Sequence, residues 1–125
     1  MLSEPQITAF VSTIQPEISK QFYRDILGLQ IVTEDAYAIE LKGNGAMLRI
    51  TTVQELKPQP FTVLGFKIEQ IELQVKSLSD KGVKFEKYDH FDQNDLGIWT
   101  SPSKAKVAWF KDPDGNLISV TEYPQ

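Results

Sequence analysis

Cysteine is absent from the 125 residues and histidine occurs once. A chain without thiols has no disulfide framework, no thiolate nucleophile and no sulfur-ligated zinc or iron. No apolar stretch approaches the ~20 residues that span a bilayer, because Lys, Glu, Gln or Gly interrupts each run within a few positions. The opening segment Met1-Leu2-Ser3-Glu4-Pro5 has neither the basic nor the apolar region of a cleaved secretion signal, so a cytoplasmic location is expected. Basic excess is missing too: 13 Lys and Arg against 17 Asp and Glu leave a formal charge of -4. The lysines are scattered, so neither nucleic acid nor a membrane is an expected partner. What remains is ordinary globular material, 41% hydrophobic and 24% charged, long enough for one core and too short for two independent ones. A single domain over 1–125 is expected.

Pattern along the chain gives its organisation. Gln6 to Ile14 alternates and is rich in β-branched residues, which predicts a strand ending before Pro16. Pro16-Glu17 opens a segment in which Ile18, Phe22, Ile26 and Leu27 recur at helical spacing, with Gly28 at its C-terminal cap. Strands are then expected at Leu29 to Thr33, Ala36 to Leu41 and Ala46 to Thr52, separated by turn-forming residues. The segment 53–60, with Pro58 and Pro60, has no periodicity and reads as a linker. The order then repeats: a strand Phe61 to Ile68 and a helix carrying Ile71, Val75 and Leu78 that ends at Lys81-Gly82. Strands follow at Val83 to Tyr88, at Ile98 to Ser101 with Val107 to Lys111, and at Leu117 to Tyr123 after the turn Asp112-Pro113-Asp114-Gly115.

The two helix-ending glycines are 54 positions apart, and the same offset carries Thr8 onto Thr62 and Ile14 onto Ile68. Two tandem βαβββ modules, about 5–52 and 61–123, account for this most simply; a ferredoxin-like sandwich with chance spacing is the alternative. The expected class is α+β, with the modules forming a concave mixed sheet and the helices on its outer face.

Two motifs carry a family likeness. Phe22-Tyr23-Arg24-Asp25-Ile26-Leu27-Gly28-Leu29 resembles the FYxxxLG helix end of the vicinal-oxygen-chelate superfamily, which includes glyoxalases, bleomycin-resistance proteins and extradiol dioxygenases. Ala108-Trp109-Phe110-Lys111-Asp112-Pro113-Asp114-Gly115-Asn116 resembles that superfamily's DPDGN hairpin. Both motifs read as structural, Gly28 as a left-handed cap and Asp112 to Gly115 as turn chemistry, so the two aspartates are not a catalytic pair.

The resemblance implies that metal-using members hold a divalent ion through His, Glu or Gln on the first, fourth, fifth and eighth strands. Carried over by spacing, those positions fall here on Thr8, Arg49, Thr62 and Ser119. Neutral hydroxyls are poor ligands for such ions and a guanidinium opposes one, so neither a metal nor another cofactor is expected. Glu122 lies three residues past Ser119 and should face the other side of its strand. His90 either is a solvated loop side chain or joins Asp89 or Asp92 in a surface site.

Without an ion, Thr8, Arg49, Thr62 and Ser119 are expected to form a polar floor for a ligand, with Trp99 and Trp109 as walls and the loop 91–97 as a rim. Arg49 instead has the option of an internal salt bridge to Glu40 or of simple exposure, and either tryptophan that of core or dimer interface. Three functional classes follow. A metal-independent small-molecule-binding protein, homodimeric by the resemblance, fits the residues best. A lyase, isomerase or dioxygenase would have to draw its acid and base from Glu40, Tyr37, Tyr123 or His90. A protein-interaction role has no sequence feature of its own.

Overall fold

A computed structural model describes residues 1–125. The chain divides into two compact units, Met1–Pro58 and Gln59–Gln125. In the first, β1 (Thr8–Thr13) leads through α1 (Pro16–Gln21) and a π-helical turn (Phe22–Ile26) to β2 (Gln30–Glu34), β3 (Ala38–Gly43) and β4 (Ala46–Thr52). The strands form sheet 1 in the order β1-β4-β3-β2, with β1 parallel to β4 and the other neighbours antiparallel.

Pro16 occupies the start of α1, with Glu17 in the first turn and Lys20 in the last, each suited to the helix dipole. Regular α geometry does not reach Gly28 as the spacing predicts. Past Gln21 the turn widens: the Leu27 amide donates to the Phe22 carbonyl five residues back, and the Leu29 amide to Tyr23, both at 3.0 Å. The wider turn brings the adjacent Phe22 and Tyr23 both inward, 9% and 0% exposed, with their rings edge to face at 5.3 Å. Gly28, at φ +78°, then reverses the chain. Tyr23 joins Val11, Ile39, Leu41, Leu48 and Ile50 in the core of this unit. Each such side chain contributes about 1.5–3 kcal/mol by leaving water.

The second unit repeats the order with β5 (Thr62–Lys67), α2 (Ile71–Asp80), β6 (Trp99–Thr100), β7 (Lys106–Lys111) and β8 (Leu117–Glu122), arranged in sheet 2 as β5-β8-β7-β6. Both bounds of β5 lie 54 residues after those of β1, as the repeat requires. Gly82, at φ +97°, ends α2 in the role of Gly28, with the Val83 amide on the Leu78 carbonyl and the Gly82 amide on Ser79, both at 3.0 Å. The result is α+β, two four-stranded mixed sheets each with its own helix.

Three expectations need correction in this unit. Val83 to Tyr88 is not a strand: its backbone pairs with β7 only through a bridge between Phe85 and Phe110 and the Glu86 amide on the Trp109 carbonyl. Two further backbone groups are claimed by a side chain, since Gln93 binds both the Tyr88 amide and the Glu86 carbonyl. The strand expected at Ile98 to Ser101 shrinks to Trp99–Thr100, and the last strand ends at Glu122. The outer edge of β7 is therefore shared by two short pieces of chain, with a loop between them.

Asp112 is 4% exposed, and its carboxylate accepts from the Asp114 and Asn116 amides and from Asn116 Nδ2, each at 2.9 Å. Turn geometry thus uses this aspartate fully. At the other end of β8, Glu122 Oε1 accepts the Ile71 amide at 2.8 Å and caps α2, so its side chain lies on the helix side of sheet 2, opposite Ser119. Gln70, which would otherwise be the capping residue, is held at φ +54° and makes no side-chain cap. Glu122→Ala is expected to lower stability by about 1 kcal/mol, a few degrees in Tm, and Glu122→Gln to retain most of it. Thermal denaturation of the two variants checks this.

Candidate functional site

The four positions onto which the family likeness maps metal ligands are divided between the sheets. On sheet 1, Thr8 and Arg49 share the face away from α1, Thr8 opposite Met47 and Arg49 between Phe10 and Glu40. Of the alternatives for Arg49, an internal ion pair is the one formed. Its Nη1 lies 3.2 Å from Glu40 Oε2, and the two side chains are 35% and 33% exposed. Thr33 Oγ1 donates to the second Glu40 oxygen at 3.2 Å. A pair this exposed is worth less than about 1 kcal/mol, but it balances the guanidinium charge and occupies Glu40.

On sheet 2, Thr62 lies opposite Leu117, and Ser119 lies between Gly65 and Trp109 in one cross-strand row. A bulge at Val63 keeps Thr62 on the Ser119 side. Gly65 leaves that row low: a Cβ there would sit 3.2 Å from Ser119 Oγ. Neither pair contains a carboxylate or an imidazole, and no three His, Asp or Glu side chains converge anywhere in the chain. Hydroxyls with a guanidinium already bound to an acid do not suit a divalent ion.

What sheet 2 does assemble is aromatic. Thr62 and Trp109 line a recess of about 240 Å³ together with Phe61, Leu117 and three side chains of the 88–91 segment, Tyr88, His90 and Phe91. Phe91 lies flat against Trp109, with centroids 5.2 Å apart and planes 3° from parallel. It also meets Trp99 at 4.5 Å, while Tyr88 stands edge-on to Trp109 at 5.5 Å. Offset stacks and edge-to-face pairs of this kind contribute about 0.5–1.5 kcal/mol each beyond the area they bury. Burial, and secondarily the nearby Glu86 carboxylate, pushes the Tyr88 phenol above its ordinary range. It stays protonated at neutral pH, able to donate a hydrogen bond and unable to act as a base. The His90 ring touches Phe91 at 4.3 Å and Tyr88 at 5.8 Å, placing the single imidazole in the aromatic rim.

The sequence-derived residues Thr62 and Trp109 therefore meet at one recess, with Ser119 next to Trp109 in the sheet and Trp99 joined through Phe91. Thr8 and Arg49 belong to the other sheet. Sequence reasoning named Phe91 only as the start of the rim loop 91–97 and missed Phe61, Tyr88, Leu117 and Gly65; of the missed residues only Gly65, a glycine inside a strand, carried a local signal. Tyr37 and Tyr123 are 75% and 55% exposed, and Tyr123 stacks under Lys67 Nζ at 5.9 Å. A larger recess of about 310 Å³ lies at the start of α2 between Gln70, Leu73 and Lys106, but of its two acids Glu122 caps the helix and Glu72 pairs with Lys106 at 3.9 Å.

Comparison with known proteins places this arrangement. The model of the Glyoxalase/Bleomycin resistance protein/Dioxygenase superfamily matches residues 6–120. The chain belongs to that superfamily. It is 35% identical over 117 residues to the uncharacterized protein YraH of Bacillus subtilis, a match covering 82% of this chain and 85% of that one. Among solved structures, an integron cassette protein from the mobile metagenome of the Halifax Harbour sewage outfall superposes with a TM-score of 0.72. It is 24% identical, over 95% of this chain and 98% of that one. A lactoylglutathione lyase from Agrobacterium tumefaciens gives a TM-score of 0.73 at 15% identity, over 95% and 93% of the two chains. Likenesses at these identities establish the shared fold. No helix of this superfamily member is long and apolar enough to cross a membrane.

Proposed function

We propose that this superfamily member is a metal-independent small-molecule-binding protein whose ligand lies against the aromatic wall of sheet 2. The observation that carries this reading is the recess lined by Tyr88, Phe91 and Trp109 together with Thr62. Apolar ring faces with a few polar groups are the usual make-up of a ligand pocket, and the volume suits a compact planar molecule or one end of a larger one. Thr62, Ser119 and the Tyr88 phenol supply hydrogen bonds, and Trp99 and Trp109 supply stacking surface. Thr8 and Arg49 offer polar groups on the first unit's own exposed sheet face, where Glu40 balances the guanidinium charge. A cytoplasmic homodimer belongs to the same proposal.

Titration with a panel of planar aromatics, followed by tryptophan emission, tests the reading, since of the only two tryptophans Trp109 lines the recess and Trp99 packs on Phe91 beside it. Saturable quenching by at least one compound, unchanged by EDTA, is the expected result. Affinity that disappears on chelation and returns with a divalent metal overturns the proposal, as does a panel without a saturable member.

A further inference from the structure

The aromatic wall stands on a loop that belongs to neither sheet. From Glu86 to Ile98 the chain makes no ladder of its own, yet it holds Tyr88 and Phe91 against Trp109, with His90 on both. One carboxamide accounts for most of that order. Gln93 Oε1 accepts the Tyr88 amide at 2.7 Å, while Nε2 donates to the Glu86 carbonyl at 2.9 Å and the Gly97 carbonyl at 2.8 Å. Both amide hydrogens and the amide oxygen are thus spent on backbone, tying the two ends of the loop together across its middle. The next residue closes the tip: Asn94 Oδ1 accepts the Leu96 and Ile98 amides, both at 3.0 Å, and Lys87 Nζ donates to its carbonyl at 2.6 Å. Gly97, at φ +91°, packs so closely that an added Cβ would lie 3.2 Å from Phe85 Cβ.

We infer that Gln93 is the positioning residue of the recess, fixing Phe91 on Trp109 so that the binding surface exists before any ligand arrives. The inference rests on the binding function proposed above. Gln93 itself is not among the residues that line the recess, and it acts through the Tyr88 amide and the two carbonyls. A loop fixed in this way avoids the ordering cost that a mobile rim would impose on binding. An amide is required because the site needs one acceptor and two donors at the same place.

The test uses the whole chain with 2-naphthol as probe, and near-ultraviolet circular dichroism of the Trp99–Phe91–Trp109 stack as a readout independent of binding. Gln93→Met keeps the length and removes the hydrogen bonds. It should retain the far-ultraviolet spectrum and a cooperative melt, lose the near-ultraviolet signature, and bind the probe about tenfold or more weakly. In Gln93→Glu, a carboxylate faces the Glu86 and Gly97 carbonyls at neutral pH and should behave like methionine. As pH falls through the carboxylate range, the protonated acid regains one donor, and both signature and affinity should recover in part.

The other ionisable groups on or against this loop are the Glu86–Lys111 pair, Lys87, Tyr88, Asp89, His90, Asp92 and Asp95. All are present in the wild type, so a recovery found only in Gln93→Glu belongs to residue 93. A near-ultraviolet signature unchanged in Gln93→Met, or a Gln93→Glu variant with the wild-type pH profile, overturns the inference. Wild-type protein that ignores 2-naphthol counts against the binding reading for that probe, and the dichroism still decides the role of Gln93.

Discussion

Phe110→Ala is expected to cost about 3–5 kcal/mol, a large part of the roughly 5–15 kcal/mol by which a domain is ordinarily stable. Phe110 is 0% exposed, pairs with Ile118 across β7 and β8, and meets the Phe85 ring edge-on at 5.5 Å. Truncation removes the transfer free energy of the ring and leaves a cavity that the close-packed side chains around it cannot fill. It also loosens Phe85, whose bridge to Phe110 is one of the few attachments of the 83–88 segment to the sheet. Urea denaturation followed by tryptophan emission reads the second unit directly, because Trp99 and Trp109 both lie in it. The midpoint should fall sharply with little change in slope. Phe10→Ala is the matched control: the same side chain, 62% exposed on β1, should change stability by less than about 0.5 kcal/mol.

Trp109→Ala should abolish most small-molecule binding, weakening a planar probe by about 30-fold or more, the equivalent of ~2 kcal/mol. Its indole is the surface on which Phe91 lies and against which Tyr88 stands, so its loss removes one wall and frees two others. Trp109 is only partly buried, on the face away from α2, which separates this effect from a collapse of the core. Trp109→Phe should retain an intermediate affinity, since a smaller ring still stacks. Isothermal titration calorimetry, which does not depend on the fluorophore being removed, measures both variants. Equal affinity in Trp109→Ala and wild type would place the ligand elsewhere.

Where local chemistry decided the structure, the sequence was readable. Gly28 and Gly82 announce two helix ends because left-handed backbone favours glycine, and their spacing exposes the repeat. Asp112 to Asn116 closes its hairpin with its own side chains, so that turn could be recognised without any tertiary contact. The alternation of β4 and β8 was enough to divide Arg49 and Ser119 from the core residues beside them. The 83–88 segment failed for the opposite reason. Its apolar and aromatic residues favour a strand, but Gln93, beyond the end of the segment, takes the backbone groups a ladder would need. No local propensity encodes that capture. The recess was half legible for a related reason: Trp99 and Trp109 declare themselves as large rings on strands, whereas Tyr88 and Phe91 matter only once the loop has folded onto them. The Glu40–Arg49 pair was one of several options until register placed the two residues opposite each other.

The interrupted border of sheet 2 also bears on how this protein behaves in a crowded solution. An uninterrupted outer strand offers a row of unpaired amides and carbonyls, a template on which other chains can add and aggregate. Here the outermost strand is two residues long, and the Glu86 and Gly97 carbonyls nearby already accept from Gln93. The border of sheet 1 is broken differently, by a bulge between Ile31 and Thr33 and by the Glu34–Lys20 ion pair at 3.3 Å. The β6 edge of sheet 2 and the β2 edge of sheet 1 thus fit poorly against a straight incoming strand.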